Sequence, residues 1–121
     1  MAKDMRISFL LDFYGNLLTD KQREVIEYYY NDDLSLSEIA ENEGITRQGV
    51  RDAIKRAEAQ LTETEDRLGF AARFQELRGG MEKISEAASR IREYNARCSQ
   101  VREIEESAGE ILGTVQKLSE E

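Results

Sequence analysis

Residues 34–57 read LSLSEIAENEGITRQGVRDAIKRA, and the reading of this stretch decides the fold. It parses as two short helices about a glycine. The first places Ile39 and Ala40 on its inner face. Gly44 supplies a residue that takes φ > 0 without steric cost and so ends that helix. Thr46 suits the N-cap of the next helix, because its hydroxyl oxygen accepts an orphan backbone N–H. The second helix carries Val50, Ala53 and Ile54 inward and shows Arg47, Gln48, Arg51 and Lys55 on its other face. Small Ala40 permits close approach, and Ile45 and Val50 are expected to hold the helices near a right angle. This is the grammar of a helix-turn-helix, whose second helix can lie in the major groove with its N-terminal side chains over base edges.

Working outward, Ser37 is the expected N-cap of the first motif helix, and Asn31, Asp32 and Asp33 form a polar link before it. Upstream, Thr19 opens TDKQREVIEYYY, with Asp20 in the first turn where the helix dipole favours an anion. Val25, Ile26, Tyr29 and Tyr30 face the core. Ile7, Leu10, Leu11, Tyr14, Leu17 and Leu18 recur at steps of three and four, which marks one face of a further helix ending near Gly15 and Asn16. The first 60 residues therefore read as a compact bundle of about four helices with short connections.

Downstream, Leu68, Ala71, Phe74 and Leu77 make a short stripe, with Gly69 as a bend. Gly79 and Gly80 are the only glycine pair, and the domain boundary is expected there: a helix-turn-helix domain over 1–78 and a C-terminal segment over 79–121. Met81, Ile84, Ala88, Ile91, Asn95 and Cys98 step by threes and fours, as do Val101, Ile104, Ala108, Ile111, Val115 and Leu118. The step from Cys98 to Val101 is one short of the register and reads as a stammer. One helix from Met81 to Leu118 would run about 57 Å at roughly 1.5 Å per residue. The preceding bundle cannot cover that length, so a partner helix is expected, with Asn95 fixing register against its own copy. The alternative is a break at Gly109 or Gly113, with the pieces folding back on their own chain.

Composition narrows the function. The 121 residues carry a net charge of −8, which argues against indiscriminate nucleic-acid binding. Residues 1–60 hold 8 basic and 12 acidic side chains, and residues 61–121 hold 9 and 13. Any DNA contact must therefore be focused, and residues 44–60, with four basic against two acidic residues, are the locally positive segment. There is no histidine and a single cysteine, Cys98. That removes Cys/His zinc sites, intrachain disulfides and histidine-dependent nucleophile systems, and fits a reducing, cytoplasmic setting. No apolar run reaches membrane-spanning length. Asp32–Asp33 and Glu105–Glu106 lack the spacing of a metal or acid/base pair and read as solvated charge. Phe13, Tyr14 and Tyr28 to Tyr30 sit beside leucines at helical spacing and read as core. No enzymatic activity, cofactor or metal is expected.

The strings LTDKQREVIEYYY and LSLSEIAENEGITRQGVRDAIKRAEAQL resemble the fourth region of bacterial sigma factors, which reads the upstream promoter element. With the preceding FLLDFYGNLLT, the chain is more similar still to the YlxM family of small bacterial helix-turn-helix proteins, encoded beside signal recognition particle genes. FYGNLLTDKQREV and DDLSLSEIAENEGITRQGVRDAIKR carry the match, which extends to about Phe74. The resemblance implies a DNA-binding or regulatory role connected to protein targeting. The expected fold is all-α: a wingless, sigma-region-4-like helix-turn-helix bundle followed by a long C-terminal helix.

The expected DNA-contacting residues are Thr46, Arg47, Gln48, Arg51, Lys55 and Arg56. Arginine pairs bidentately with guanine and glutamine with adenine, while Lys55 and Arg56 lie further along and would meet phosphate. The expected dimer interface is Ile84, Ile91, Asn95, Cys98, Val101 and Ile104. The expected partners are double-stranded DNA and a second copy of the chain. The alternative is a non-DNA-binding adaptor that takes signal recognition particle RNA or protein.

Overall fold

The computed structural model describes residues 3–120. In chain order its elements are α1 (Met5–Tyr14), a 3-10 turn (Gly15–Leu17), α2 (Asp20–Tyr30), α3 (Leu36–Glu43), α4 (Arg47–Leu68), α5 (Phe70–Tyr94), a π-helical turn (Asn95–Ser99) and α6 (Arg102–Ser119). The fold is all-α, as expected, with a helix-turn-helix bundle and a long helix after it. The chain divides into two compact units, the first ending at Ala71 and the second beginning at Ala72. Gly79 and Gly80, expected at the boundary, lie inside α5.

The first unit owes its helix ends to local chemistry. Thr19 and Gln22 form a capping box at the start of α2. A second one opens α3, where the Ser35 hydroxyl accepts from the Glu38 N–H at 3.1 Å and the Glu38 carboxylate accepts from the Ser35 N–H at 3.0 Å. The N-cap is thus Ser35 and not Ser37, because Ser35 has the acidic residue three positions on that completes the box. At the other end of α3, Gly44 is left-handed at φ 66° and ψ 32°. The N–H groups of Gly44 and Ile45 both donate to the Ala40 carbonyl, which closes a Schellman-like turn. Ile39, Ala40 and Val50 are buried between the motif helices, while Ile45 is partly exposed and lies beside Gly49 in the first turn of α4.

Two apolar clusters fill this unit, and α2 and α4 contribute to both. Ile26 joins Ile7, Leu10, Leu11, Tyr14, Leu18, Ala57, Leu61 and Ala71. Its neighbour Val25 turns the other way, with Tyr29, Ile39, Ala40, Val50 and Ile54. Burial of each large side chain here stabilises the fold by roughly 1.5–3 kcal/mol. Polar ties reinforce the packing. Lys21 of α2 pairs with Glu43 of α3, whose side chain is only 5% exposed. The Tyr14 hydroxyl donates to Glu65 Oε1 at 2.6 Å, and the Ala71 N–H donates to the same oxygen at 3.0 Å. Burial, and then the Glu65 hydrogen bond, push the Tyr14 hydroxyl above its ordinary pKa.

In the second unit, residues 81–118 are not one helix. The chain turns through Asn95–Ser99 into Gln100, which is left-handed at φ 51°, and α6 starts at Arg102. The one-residue shortfall between Cys98 and Val101 is therefore a turn and not a stammer, and Gly109 and Gly113 lie inside α6. Asn95, 3% exposed, makes the turn. Its Nδ2 donates to the Val101 carbonyl at 2.8 Å, and its Oδ1 accepts from the Val101 N–H at 2.9 Å. Its backbone carbonyl also accepts from the Gln100 N–H at 2.6 Å. Asn95, expected to fix register against its own copy, thus spends its side chain within the chain on the Val101 backbone.

Three outcomes follow for stability. Gly44→Val, which forces a β-branched residue to positive φ, should cost about 1–2 kcal/mol in thermal melts, and Gly44→Asn clearly less. Asn95→Ala leaves the Val101 N–H without its partner, while the Val101 carbonyl keeps the Glu105 N–H, and should cost about 1–3 kcal/mol. Hydrogen bonds from Ser35 hold the Glu38 carboxyl below its ordinary 4.5. Its contribution is therefore complete above pH 4.5 and is lost as pH falls through the lower folded value. Glu38→Gln should flatten the acid limb of a melting-temperature profile, and an unchanged limb would remove Glu38 from the cap.

Candidate nucleic-acid interface

The capped start of α4 positions the candidate interface. Thr46 is the N-cap, and its hydroxyl oxygen accepts from the Gly49 N–H at 3.0 Å. A Cβ at Gly49 would lie 3.3 Å from that same oxygen, so the absence of a side chain there keeps the cap unobstructed. Val50 and Ile54 are fully buried and fix the rotation of α4 about its axis. At roughly 100° per residue, this sets Arg47, Arg51 and Lys55 on one solvent-facing strip with Gln48 at its side. Arg47, Gln48 and Arg51 together line a shallow depression of about 330 Å³. Arg56 lies about 140° from Arg51 by the same helical geometry and reaches a duplex only from the flank.

The electrostatics separate this strip from the rest of the first unit. Lys3, Arg6, Lys21, Arg23 and Arg67 each stand in an ion pair with a carboxylate. Among the described residues, Arg47, Arg51, Lys55 and Arg56 stand in none. Arg51 also buries its Nε without a hydrogen-bond partner. The strip is thus a set of cations that stand in no ion pair within the described residues.

One participant escaped the sequence reading. Asp52 accepts from Gln48 Nε2 at 3.0 Å, so Gln48 is held by a neighbour and a carboxylate borders the strip. The i, i+4 spacing of the two residues was the available signal.

The residues expected at a dimer interface are all in the second unit. Ile84, Ile91, Val101 and Ile104 are exposed, Cys98 is exposed in the turn, and Asn95 is buried in its turn-forming role. Among the described residues no helix is long and apolar enough to cross a membrane.

Comparison with known proteins agrees with this architecture. Residues 1–101 match the family model UPF0122, described as "Putative helix-turn-helix protein, YlxM / p13 like". A UPF0122 protein of Thermoanaerobacter sp. (strain X514) is 48% identical over 105 residues, covering 87% of this chain and 90% of the relative. A UPF0122 protein of Bacillus thuringiensis (strain Al Hakam) is 45% identical over 101 residues, covering 84% and 92%. One from Symbiobacterium thermophilum is 48% identical over 90 residues, covering 74% and 84%. With matches over most of its length, and with the turn and caps of the motif in place, the chain belongs to the UPF0122 family of YlxM/p13-like helix-turn-helix proteins.

Proposed function

We propose that the protein is a non-catalytic, cytoplasmic regulator that binds duplex DNA sequence-specifically through the first turns of α4, acting as a homodimer. The distribution of ion pairs carries this reading. The basic side chains of the first unit outside α4 that lie in ion pairs are already offset, and Arg67 near the end of α4 is too. The cations at the start of α4 are left for an anionic ligand. Phosphate contacts supply affinity and base-edge contacts supply specificity, and one strip with both arginine and glutamine serves both. Arg47 and Arg51 are assigned to base edges, and Lys55 and Arg56 to phosphate. Thr46 adds its hydroxyl proton to a phosphate, since the cap uses only its oxygen as acceptor. Asp52 tunes selectivity by restraining Gln48 and by excluding phosphate from that side.

The link to protein targeting comes from the family resemblance, and it gives the competing reading of an adaptor for signal recognition particle components. Binding of random-sequence duplex and of signal recognition particle RNA, each followed by fluorescence anisotropy over a salt series, separates the two. Arg51→Ala should cost about 1–3 kcal/mol and relax base preference among selected duplexes. Lys55→Ala should weaken all duplexes alike and lower the salt slope by about one. Tight RNA binding with no measurable duplex binding, or duplex binding unchanged by both substitutions, overturns the proposal.

A further inference from the structure

The hairpin of α5 and α6 is closed along one edge and open along its face. Ala88 and Ala108 are buried where the helices approach. On the closed edge, Arg92 pairs with Glu105 at 2.7 Å. The open face is apolar: Ile84 and Ile91 of α5 are 50% and 53% exposed, and Ile104 and Ile111 of α6 are 37% and 41% exposed. Adjoining depressions of about 630 and 380 Å³ lie along it and share Ile91 and Ile104 as walls. Isolated exposed isoleucines are ordinary, but a continuous row of them along a groove marks a contact surface.

Towards the turn the rims of this groove carry opposite charges at equal spacing, although Glu93 also lines the groove on the α5 side. Along α5 and its turn, Lys83, Arg90 and Arg97 recur every seven residues. Along α6, Glu103 and Glu110 do the same. Helical geometry places both sets beside the isoleucine rows, on the outer side of each helix. Among the described residues none of these five side chains is in an ion pair, in contrast to Arg92 and Glu105 on the closed edge.

We propose that a second copy of the chain covers this groove, hairpin against hairpin, in a two-fold four-helix bundle whose turns lie at the same end. A two-fold interface must be self-complementary, and two hairpins can meet face to face in two ways. If the axis crosses the helices, α5 lies on α5 and α6 on α6. That sets the basic rim against itself and the acidic rim against itself, which is repulsive. If the axis runs along the helices, each α5 lies antiparallel on the other copy's α6. The register that brings Arg97 to Glu103 then also brings Arg90 to Glu110, because seven residues forward on one helix match seven back on the other. In the same register Ile91 lies within two residues, about 3 Å along the axis, of the other copy's Ile111. The next step sets Lys83 against Lys117, a like-charge contact at the open end. The proposal specifies the homodimer reading given above and is independent of DNA contact.

The full-length protein tests it. Sedimentation at micromolar concentration should show a dimer, and a short bismaleimide should join the two native Cys98 thiols at the shared turn end. With the turns at opposite ends the thiols would be separated by most of the length of α6, roughly 25 Å at 1.5 Å per residue. Arg90→Glu and Glu110→Arg should each weaken dimerisation about tenfold, since each disrupts two symmetric contacts. The double variant should recover to within about threefold of the native protein, and Lys117→Glu should tighten the dimer. These positions are exposed, and circular dichroism should confirm an unchanged fold. A monomeric native protein, a dimer indifferent to the single swaps, a double variant that fails to recover, or a dimer without the Cys98 bridge overturns the proposal.

Discussion

The first unit depends on the burial of one continuous face of α4. Its early residues Val50 and Ile54 complete the cluster shared with α2 and α3, and its later residues Ala57 and Leu61 complete the cluster shared with α1 and α2. A helix clamped at four points along one side has no freedom to rotate, so the opposite side of its first turns is presented in a fixed orientation. The proposed recognition of base edges needs that rigidity, because a bidentate hydrogen bond tolerates little angular error. The packing of the core and the aim of Arg47 and Arg51 are therefore one constraint. Substitutions at Ile54 or Leu61 should be felt at the interface even though neither side chain approaches it.

Charge is partitioned in the same spirit. For the proposed binding of a polyanion by a protein with a net charge of −8, the cations of the first unit must be presented in one place and in one orientation. Intramolecular pairing does this by subtraction. Lys3 is taken by Asp33 and Lys21 by Glu43, and these contacts also fasten the chain start and α3. Elsewhere in the first unit carboxylates gather, as along the depression lined by Asp4, Glu58, Glu63 and Asp66, a face unsuited to a polyanion.

Much of this was legible in the residues, and the failures have physical reasons. The turn at Gly44, the cap at Thr46 and the inward positions Ile39, Val50 and Ile54 follow from chemistry local to a few residues. Ser37 lost to Ser35 because a capping box involves two residues, and only Ser35 has Glu38 at the right distance. The turn after α5 was invisible as a turn because it contains neither glycine nor proline. Gln100 adopts the left-handed conformation and Asn95 satisfies the freed backbone groups. In sequence, a buried asparagine at a core position reads equally well as a register device between copies. Only the three-dimensional placement of Val101 separates the two. Gly79 and Gly80 lie inside α5, since glycine weakens a helix without being obliged to end it. Of the ion-pair partition in the first unit only Arg23–Glu27 and Arg67–Glu63 have a local spacing, and the other partners lie up to 60 positions apart.

The Glu65 carboxylate, which accepts from both the Tyr14 hydroxyl and the Ala71 N–H, has a consequence for how α5 begins. Starting a helix is the unfavourable step, since several residues must be fixed before the first backbone hydrogen bond repays them. Here one carboxylate holds the opening turn of α5 and the end of α1 together, so the cost of starting that helix is offset by contacts already made within the first unit.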